Sequence, residues 1–183
     1  MDLVGPDLPA PLVAEVVAWA GDALTSLVDR LSLFLAAVEF VLLRAPSAQR
    51  DIDFLEVFAG SHRATTLCLR LGLRAYAFDR VLQSRQDICL LVGLVLCGLH
   101  VLRVVPRGLV WFSPRCAAWL PWVSQHNHRR CHANPLGDTT RMDVMEANLS
   151  ATAVAWLTML ADLRQVHIVI EQPLRSHFFL ILL

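Results

Sequence analysis

From Asp53 onward, short apolar segments of strand length alternate with longer segments of helical periodicity. This alternation is typical of a parallel sheet whose strands are joined by helices. It predicts strands at 54–58, 73–78, 109–112 and 166–170, and helices at 64–71, 88–102 and 140–164. Gly72 marks the end of the first helix, a Thr140–Asp143 capping box marks the start of the last, and 120–140 is predicted as a polar loop. The predicted fold class is therefore α/β, an incomplete Rossmann-like doubly wound parallel sheet.

Residues 1–50 have a different pattern, because their apolar residues recur at helical spacing until Pro46. They predict an N-terminal helical extension, or leader, that packs on the body or on a partner. The predicted domains are this leader at 1–50 and a Rossmann-like domain at 51–183.

Hydrophobic residues make up 56% of the chain and its mean hydropathy is +0.52, so a membrane protein has to be considered. A spanning helix needs about 20 consecutive apolar residues. The two longest uncharged runs, 88–102 and 147–161, have 15 residues each, and we predict no membrane span. Asp2 and Asp7 occupy the place of the basic start of a signal peptide. Five cysteines, an odd number, favour a reducing compartment, either nuclear or cytoplasmic.

The net charge is zero, but residues 88–137 contain five Arg, four His and no acidic residue. The loop after the third predicted strand therefore lies in a positively charged part of the sequence, which favours an anionic partner such as DNA or RNA. An ordinary arginine-bearing surface has the same composition, and both interpretations stay open.

Each of the four predicted strands is followed by a residue that could bind a ligand or take part in catalysis. These residues are Gly60, Asp79, Cys116 and Glu171. The carboxyl ends of parallel strands share one edge, which is where ligands bind in open α/β sheets. A glycine there lets backbone approach a ligand, and an acid after the second strand is placed to bind ribose hydroxyls. Each residue also has an ordinary interpretation: a strand-to-helix turn, a surface ion pair with Arg80, a structural thiol and a loop carboxylate.

Three motifs resemble those of S-adenosylmethionine-dependent methyltransferases, in particular the cytosine-5 DNA methyltransferases. Glu56-Val57-Phe58-Ala59-Gly60 resembles their first motif, Pro114-Arg115-Cys116 their Pro-Cys loop, and Glu171-Gln172-Pro173 their Glu-Asn motif. The motifs stand in the family's order and cover residues 53–175. A closer likeness, which includes Asn134-Pro135-Leu136-Gly137-Asp138, is to a group of methyltransferase-like proteins of dinoflagellates and other algae.

The resemblance implies S-adenosyl-L-methionine as cofactor, with six candidate contacts: Glu56, Phe58, Gly60, Asp79, Asp87 and Pro114. Asp87 would either approach the adenine or cap the N-terminus of the following helix. Ser61-His62-Arg63 stands where the family's turn has further glycines.

The resemblance also implies catalytic roles for Cys116, Arg115 and Glu171. The thiolate would attack C6 of a flipped cytosine and so activate C5. Arg115 would favour the thiolate, and Glu171 would hold the base edge and manage its protons. Arg115 replaces the family's proline, with Pro114 displaced by one position, and Gln172 replaces the asparagine. Because the family's sheets continue beyond a fourth strand, whereas this sequence ends 12 residues after Glu171, we expect domain 51–183 to be truncated at its C-terminus.

Two local patterns near Cys116 have competing interpretations. Five residues of the types that bind zinc occur within 17 positions, namely Cys116, His126, His128, Cys131 and His132. Their spacing does not fit that of zinc fingers, and two arginines lie among them, so we predict no metal. Three tryptophans either stack on a base or anchor the core and the loop, namely Trp111, Trp119 and Trp122.

Three functions follow from these patterns. The first is a methyltransferase domain that acts on cytosine in nucleic acid through Cys116. The second is a catalytically inactive or fragmentary methyltransferase-like module with a binding or structural role. The third is a methyltransferase for small molecules or proteins that uses no covalent step.

Overall fold

The structure is a computed structural model that describes residues 32, 34–36, 39, 50–126, 130, 131 and 133–179. Most of the predicted leader and the apolar end at 180–183 therefore lie outside the described residues. Within the described part the fold is α/β, with a parallel sheet of four strands and helices packed on it.

The sheet contains β1 (Ile52–Val57), β2 (Ala75–Phe78), β3 (Val104–Phe112) and β4 (His167–Ile170). The strand order is β2-β1-β3-β4, and every neighbouring pair is parallel. From β1 the chain steps outward to β2, and then returns across β1 to β3 and β4. The direction of winding thus reverses between β1 and β3, and at such a reversal the loops at the carboxyl ends of the strands diverge and leave a crevice.

Within the described range 50–179, the strands are connected or flanked by α1 (Arg63–Arg70), α2 (Leu91–Arg103), α3 (Pro121–His126) and α4 (Met142–Leu163). A short 3₁₀ helix, Ser84–Gln86, precedes α2. Helix α1 packs on β1 and β2, whereas α2 and α4 pack on each other, with α2 also on β1 and β3 and α4 on β4.

The core lies where the two central strands meet α2 and α4. Leu55 in β1, Val110 in β3, Val95 in α2 and Leu157 in α4 are fully buried. One described residue of the leader, Phe34, also belongs to this core and stacks on Trp156 of α4 with ring centroids 6.0 Å apart.

Most predicted elements are present, and three predictions need correction. Strand β3 begins at Val104 rather than at 109, because a register shift against β1 accommodates Pro106, Arg107 (φ 64°) and Gly108 within the strand. The predicted loop at 120–140 contains helix α3. The predicted capping box does not form: the Thr140 hydroxyl and amide both donate to Asp138, and α4 begins after Arg141 with no side-chain cap.

Among the described residues, α4 alone is long and apolar enough to cross a membrane by length and composition. A core helix of a soluble protein passes the same test. One side of α4 contributes Val144, Val154 and Leu157 to the interior, and Asp143 and Glu146 lie in its first turns.

Candidate functional site

The loop after β1 contains three residues in the left-handed region within five positions: Phe58 (φ 61°), Gly60 (φ 51°) and His62 (φ 45°). Glycine adopts this conformation without penalty, whereas a side chain adds about 1–2 kcal/mol per residue. A Cβ at Gly60 would meet nothing within 4 Å, so the turn needs glycine for its dihedral angles rather than for lack of space. Such backbone strain is concentrated at ligand-binding loops.

Asp79, at the end of β2, ties this turn to the neighbouring strand. Its Oδ2 accepts a hydrogen bond from the Gly60 amide at 2.9 Å, and its Oδ1 accepts one from the Val81 amide at 2.7 Å. Buried Gln86 accepts from the Asp79 amide at 2.9 Å and donates to the Tyr76 hydroxyl at 3.0 Å. Gly60 and Asp79, which were predicted to lie at the same edge of the sheet, are thus in direct contact. Each carboxylate oxygen of Asp79 has a second lone pair that can accept a hydrogen bond from a ligand.

Glu56 lies inside the protein rather than at the rim. Its side chain is buried, and its Oε2 accepts hydrogen bonds from the Thr65 amide at 2.7 Å and the Thr65 hydroxyl at 2.5 Å. Thr65 lies in the first turn of α1, where backbone amides point outward and the helix dipole favours a negative charge. Glu56 therefore fastens α1 to β1.

A cavity of about 320 Å³ opens at the carboxyl ends of β1, β2 and β3, beside the point where the winding reverses. Its size is near the lower end of the range of about 300–1,000 Å³ for small-molecule sites. Four of the predicted site residues line it: Phe58, Asp79, Asp87 and Arg115. The other five, Glu56, Gly60, Pro114, Cys116 and Glu171, are not among its lining residues.

Helix α4 forms a wall of this cavity that sequence analysis missed. Asp143, Glu146 and Ser150 face the cavity together with Cys89 from the loop before α2. The Cys89 Sγ lies 3.4 Å from the Ser150 hydroxyl, and burial raises the pKa of this thiol. Their spacing of three and four residues indicates that positions 143, 146 and 150 share one face of a helix, but it does not indicate that this face meets the cavity.

Asp87 and Arg80 connect two sides of the cavity. Asp87 Oδ1 accepts from the Cys89 amide at 2.9 Å, so the aspartate caps the turn before α2, while the N-cap of the helix itself is Leu90. The Arg80 guanidinium lies 3.5 Å from the Asp87 carboxylate and 3.8 Å from that of Glu146 on α4. Both carboxylates raise the pKa of Arg80 against the opposing effect of burial.

The loop that carries Cys116 starts as an extension of the sheet. The Ser113 amide donates to the Val57 carbonyl at 3.1 Å, and its hydroxyl donates to the Phe58 carbonyl at 3.2 Å. Pro114 is then buried, Arg115 is exposed beside the cavity, and Cys116 is half-buried. Cys116 therefore does not line the cavity, although its chain neighbours Arg115 and Ala117 both do.

Glu171 leaves β4 next to the same loop. Its amide donates to the Phe112 carbonyl at 2.8 Å, and its side chain is exposed. The neighbouring Gln172 donates from Nε2 to the Pro114 carbonyl at 2.6 Å. The structure thus brings the Gly60, Cys116 and Glu171 loops to one edge of the sheet, and the Cys116 and Glu171 loops follow the adjacent strands β3 and β4.

Trp119, which follows the Cys116 loop, is fully buried and serves as an anchor rather than as an exposed stacking surface. The buried Arg130 guanidinium lies 3.8 Å above its ring and donates to the Pro135 carbonyl at 2.7 Å and to Asn148 at 2.9 Å. Burial lowers the pKa of Arg130 to about 10, so it stays charged at neutral pH. Trp111 is half-buried, and Trp122 is 64% exposed.

Two of the candidate zinc ligands, His128 and His132, lie outside the described residues. Among those that are described, no three His, Cys, Asp or Glu residues are grouped closely enough to hold a metal ion.

The organised part of the site is therefore a cavity lined by four carboxylates and two arginines, at the edge of the sheet that also carries the Cys116 and Glu171 loops. Comparison with models of protein families, with curated proteins and with solved structures found no match for this chain.

Proposed function

We propose that this chain is a Rossmann-like, S-adenosylmethionine-dependent methyltransferase domain that methylates C5 of cytosine in DNA or RNA through Cys116. The observation that carries the proposal is the position of the cavity at the reversal between β1 and β3, next to the loop of Cys116. Doubly wound sheets bind nucleotide-like ligands at this point. The motifs that resemble the methyltransferases lie in the loops around it.

The residues of the cavity fit an adenosyl ligand in chemistry. Asp79 presents two carboxylate oxygens at the end of β2, where ribose hydroxyls can donate to them. Phe58 offers an apolar surface, and the carboxylates of Asp87 and Glu146 can accept from an amine. When bound, S-adenosylmethionine supplies an electrophilic methyl group on a positively charged sulfur. Four carboxylates line the cavity, of which Asp143 pairs with Arg141 and two others lie near Arg80, so they would serve this ligand mainly as hydrogen-bond acceptors.

Cys116, Arg115 and Glu171 would supply the covalent step. The Cys116 thiolate would add to C6 of the base as the C5–C6 double bond opens, which would make C5 nucleophilic toward the methyl group of the sulfonium. After transfer the cofactor would leave as the neutral thioether, a base would take the C5 proton, and cleavage of the C6–S bond would restore the double bond and release the thiolate. Exposed Arg115 immediately precedes Cys116, and Glu171, which follows β4, would hold the edge of a base taken out of its stack.

Two experiments test the proposal. Titration calorimetry with S-adenosylmethionine should give binding heat, and Asp79→Asn should weaken the affinity at least tenfold, while Asp162→Asn at the exposed far end of α4 should not. Absence of heat at millimolar ligand would reject cofactor binding.

The covalent step is tested by trapping with 5-fluorocytosine oligonucleotides of DNA and of RNA. We expect an adduct with the native chain and with Cys131→Ser, and none with Cys116→Ser. An adduct that persists in Cys116→Ser would show that another group is the nucleophile.

A second candidate function is a binding module without catalysis. It is favoured by one observation, that both Asp79 oxygens already accept amides of the surrounding loops while Cys116 and Glu171 lie outside the cavity wall. Binding heat without any adduct would support this module or a methyltransferase that uses no covalent step.

A further inference from the structure

The segment after β4 holds the Cys116 loop through a chain of hydrogen bonds. Gln172 Nε2 donates to the Pro114 carbonyl at 2.6 Å, and Gln172 Oε1 accepts from the Ser176 hydroxyl at 3.0 Å. The same hydroxyl accepts from the Phe178 amide at 3.2 Å. The Gln172 side-chain amide therefore bonds through its nitrogen to the Cys116 loop and through its oxygen to the segment after β4.

A second set of contacts fixes the far end of the loop. The His177 amide donates to the Trp119 carbonyl at 2.9 Å, and the buried Phe178 ring meets the Trp119 indole edge-on with centroids 5.5 Å apart. The Trp119 amide in turn donates to the Cys116 carbonyl at 2.8 Å. Cys116 thus lies between two attachments to the 172–178 segment.

We propose that Gln172 is a positioning residue that sets the location of the Cys116 thiol by holding the Pro114 carbonyl. The proposal rests on the proposed function only in assigning a use to the thiol, since the contacts themselves involve no ligand. Pro114 is two residues before Cys116, and a proline has no amide of its own to anchor this part of the loop. The 2.6 Å bond is the one side-chain hydrogen bond to residues 114–116 within the described part of the chain.

The reactivity of the thiol gives a direct readout that needs neither cofactor nor substrate. We would label the native chain with 4,4′-dithiodipyridine and quantify each cysteine by peptide mass spectrometry, taking exposed Cys131 as the internal reference. In Gln172→Ala, release of the loop should raise the Cys116-to-Cys131 labelling ratio about two- to tenfold, the effect of losing one net hydrogen bond. Gln83→Ala, the same change at an exposed loop glutamine, should leave the ratio unchanged.

Gln172→Glu distinguishes positioning from a general loss of structure. An ionised carboxylate would repel the Pro114 carbonyl, whereas a protonated carboxyl can donate to that carbonyl and still accept from Ser176. The labelling ratio of this variant should be high at pH 7.5 and should approach that of the native chain, measured at the same pH, as the pH falls to about 4, below the ordinary glutamate pKa of about 4.3. Gln172→Ala should show no such return.

Two results would overturn the proposal. One is an unchanged ratio in Gln172→Ala when its circular dichroism and melting temperature match those of the native chain. The other, which holds even if Gln172→Ala does not fold, is a ratio in Gln172→Glu that differs from the native one by the same factor at both pH values. Failure of the proposed function would appear separately, as absence of the 5-fluorocytosine adduct in the native chain.

Discussion

The hydrogen bonds of Glu56 predict that this carboxylate contributes to stability rather than to ligand affinity. Only 6% of the residue is exposed, and its described hydrogen-bond partners are the amide and hydroxyl of Thr65. Glu56→Gln keeps the shape and one acceptor but removes the charge. Hydrogen bonds to a charged group contribute about 1.5–3 kcal/mol each, against about 1 kcal/mol for neutral ones.

The interaction of the charge with the N-terminus of α1 adds up to about 2 kcal/mol in a partly buried geometry. A neutral amide costs less to bury than a carboxylate, which offsets part of the loss. We therefore expect Glu56→Gln to lower the free energy of unfolding by about 1–3 kcal/mol, which corresponds to about 2–4 °C in melting temperature per kcal/mol for a chain of this size.

Urea unfolding followed by tryptophan fluorescence measures this difference. Glu146→Gln is the matched stability control, because its carboxylate is 48% exposed, and it should change stability by less than about 0.5 kcal/mol. An unfolding free energy of Glu56→Gln within that same margin would refute the reasoning. Since Glu56 does not line the cavity, the affinity of the Glu56→Gln variant for S-adenosylmethionine should differ from that of the native chain by less than threefold. A tenfold loss of affinity at native stability would favour the cofactor contact expected from the sequence.

Three further predictions concern a glycine pair, a histidine and a thiol. Gly60→Ala should lower the free energy of unfolding, measured by chemical denaturation, by about 1–2 kcal/mol, because only the positive φ of this position opposes a side chain. Gly93→Ala should prevent stable folding, because the added Cβ would overlap the Asp87 carbonyl. Burial lowers the pKa of His100 to about 3; the unfolded chain therefore binds a proton that the fold excludes, and about 2 kcal/mol of stability should be lost between pH 7 and pH 5. His100→Phe should flatten this slope. Saturating S-adenosylmethionine should slow alkylation of Cys89, which lines the cavity; equal labelling with and without ligand would place the cofactor elsewhere.

Local chemistry made most of the fold predictable. The segment at 54–58 is apolar because β1 lies between two strands and is covered by helices, and Gly72 (φ 79°) ends α1 as its type suggests. The errors occur where tertiary pairing overrides local signals. Pro106 and Gly108 predict an interruption, yet the bulge lets β3 continue past them.

The strand-end residues of the site were predictable for a similar reason, because topology alone carries Gly60, Asp79, Cys116 and Glu171 to one edge of the sheet. The wall formed by α4 was not predictable, since the contacts of α4 with Cys89 join residues that are 57 and 61 positions apart in the sequence. The bond between Gln172 and Pro114 likewise spans 58 positions. Such contacts depend on how two elements pack, and no local pattern encodes that packing.

The distribution of charge shows why this packing matters for assigning a ligand. Residues 88–137 contain no acid, and the sequence alone therefore favours an anionic partner near Cys116. In the fold, Asp79 and Asp87 enter the cavity from one side and Asp143 and Glu146 from the other. Arg80 lies near Asp87 and Glu146, Arg141 pairs with Asp143 at 3.0 Å, and Arg115 also lines the cavity, so the lining offers hydrogen-bond acceptors without a large excess of negative charge. Under the proposed function, the cofactor would use these carboxylates as acceptors, and an anionic nucleic acid would contact exposed Arg115. The Cys116 loop would then lie next to both ligands of the proposed reaction.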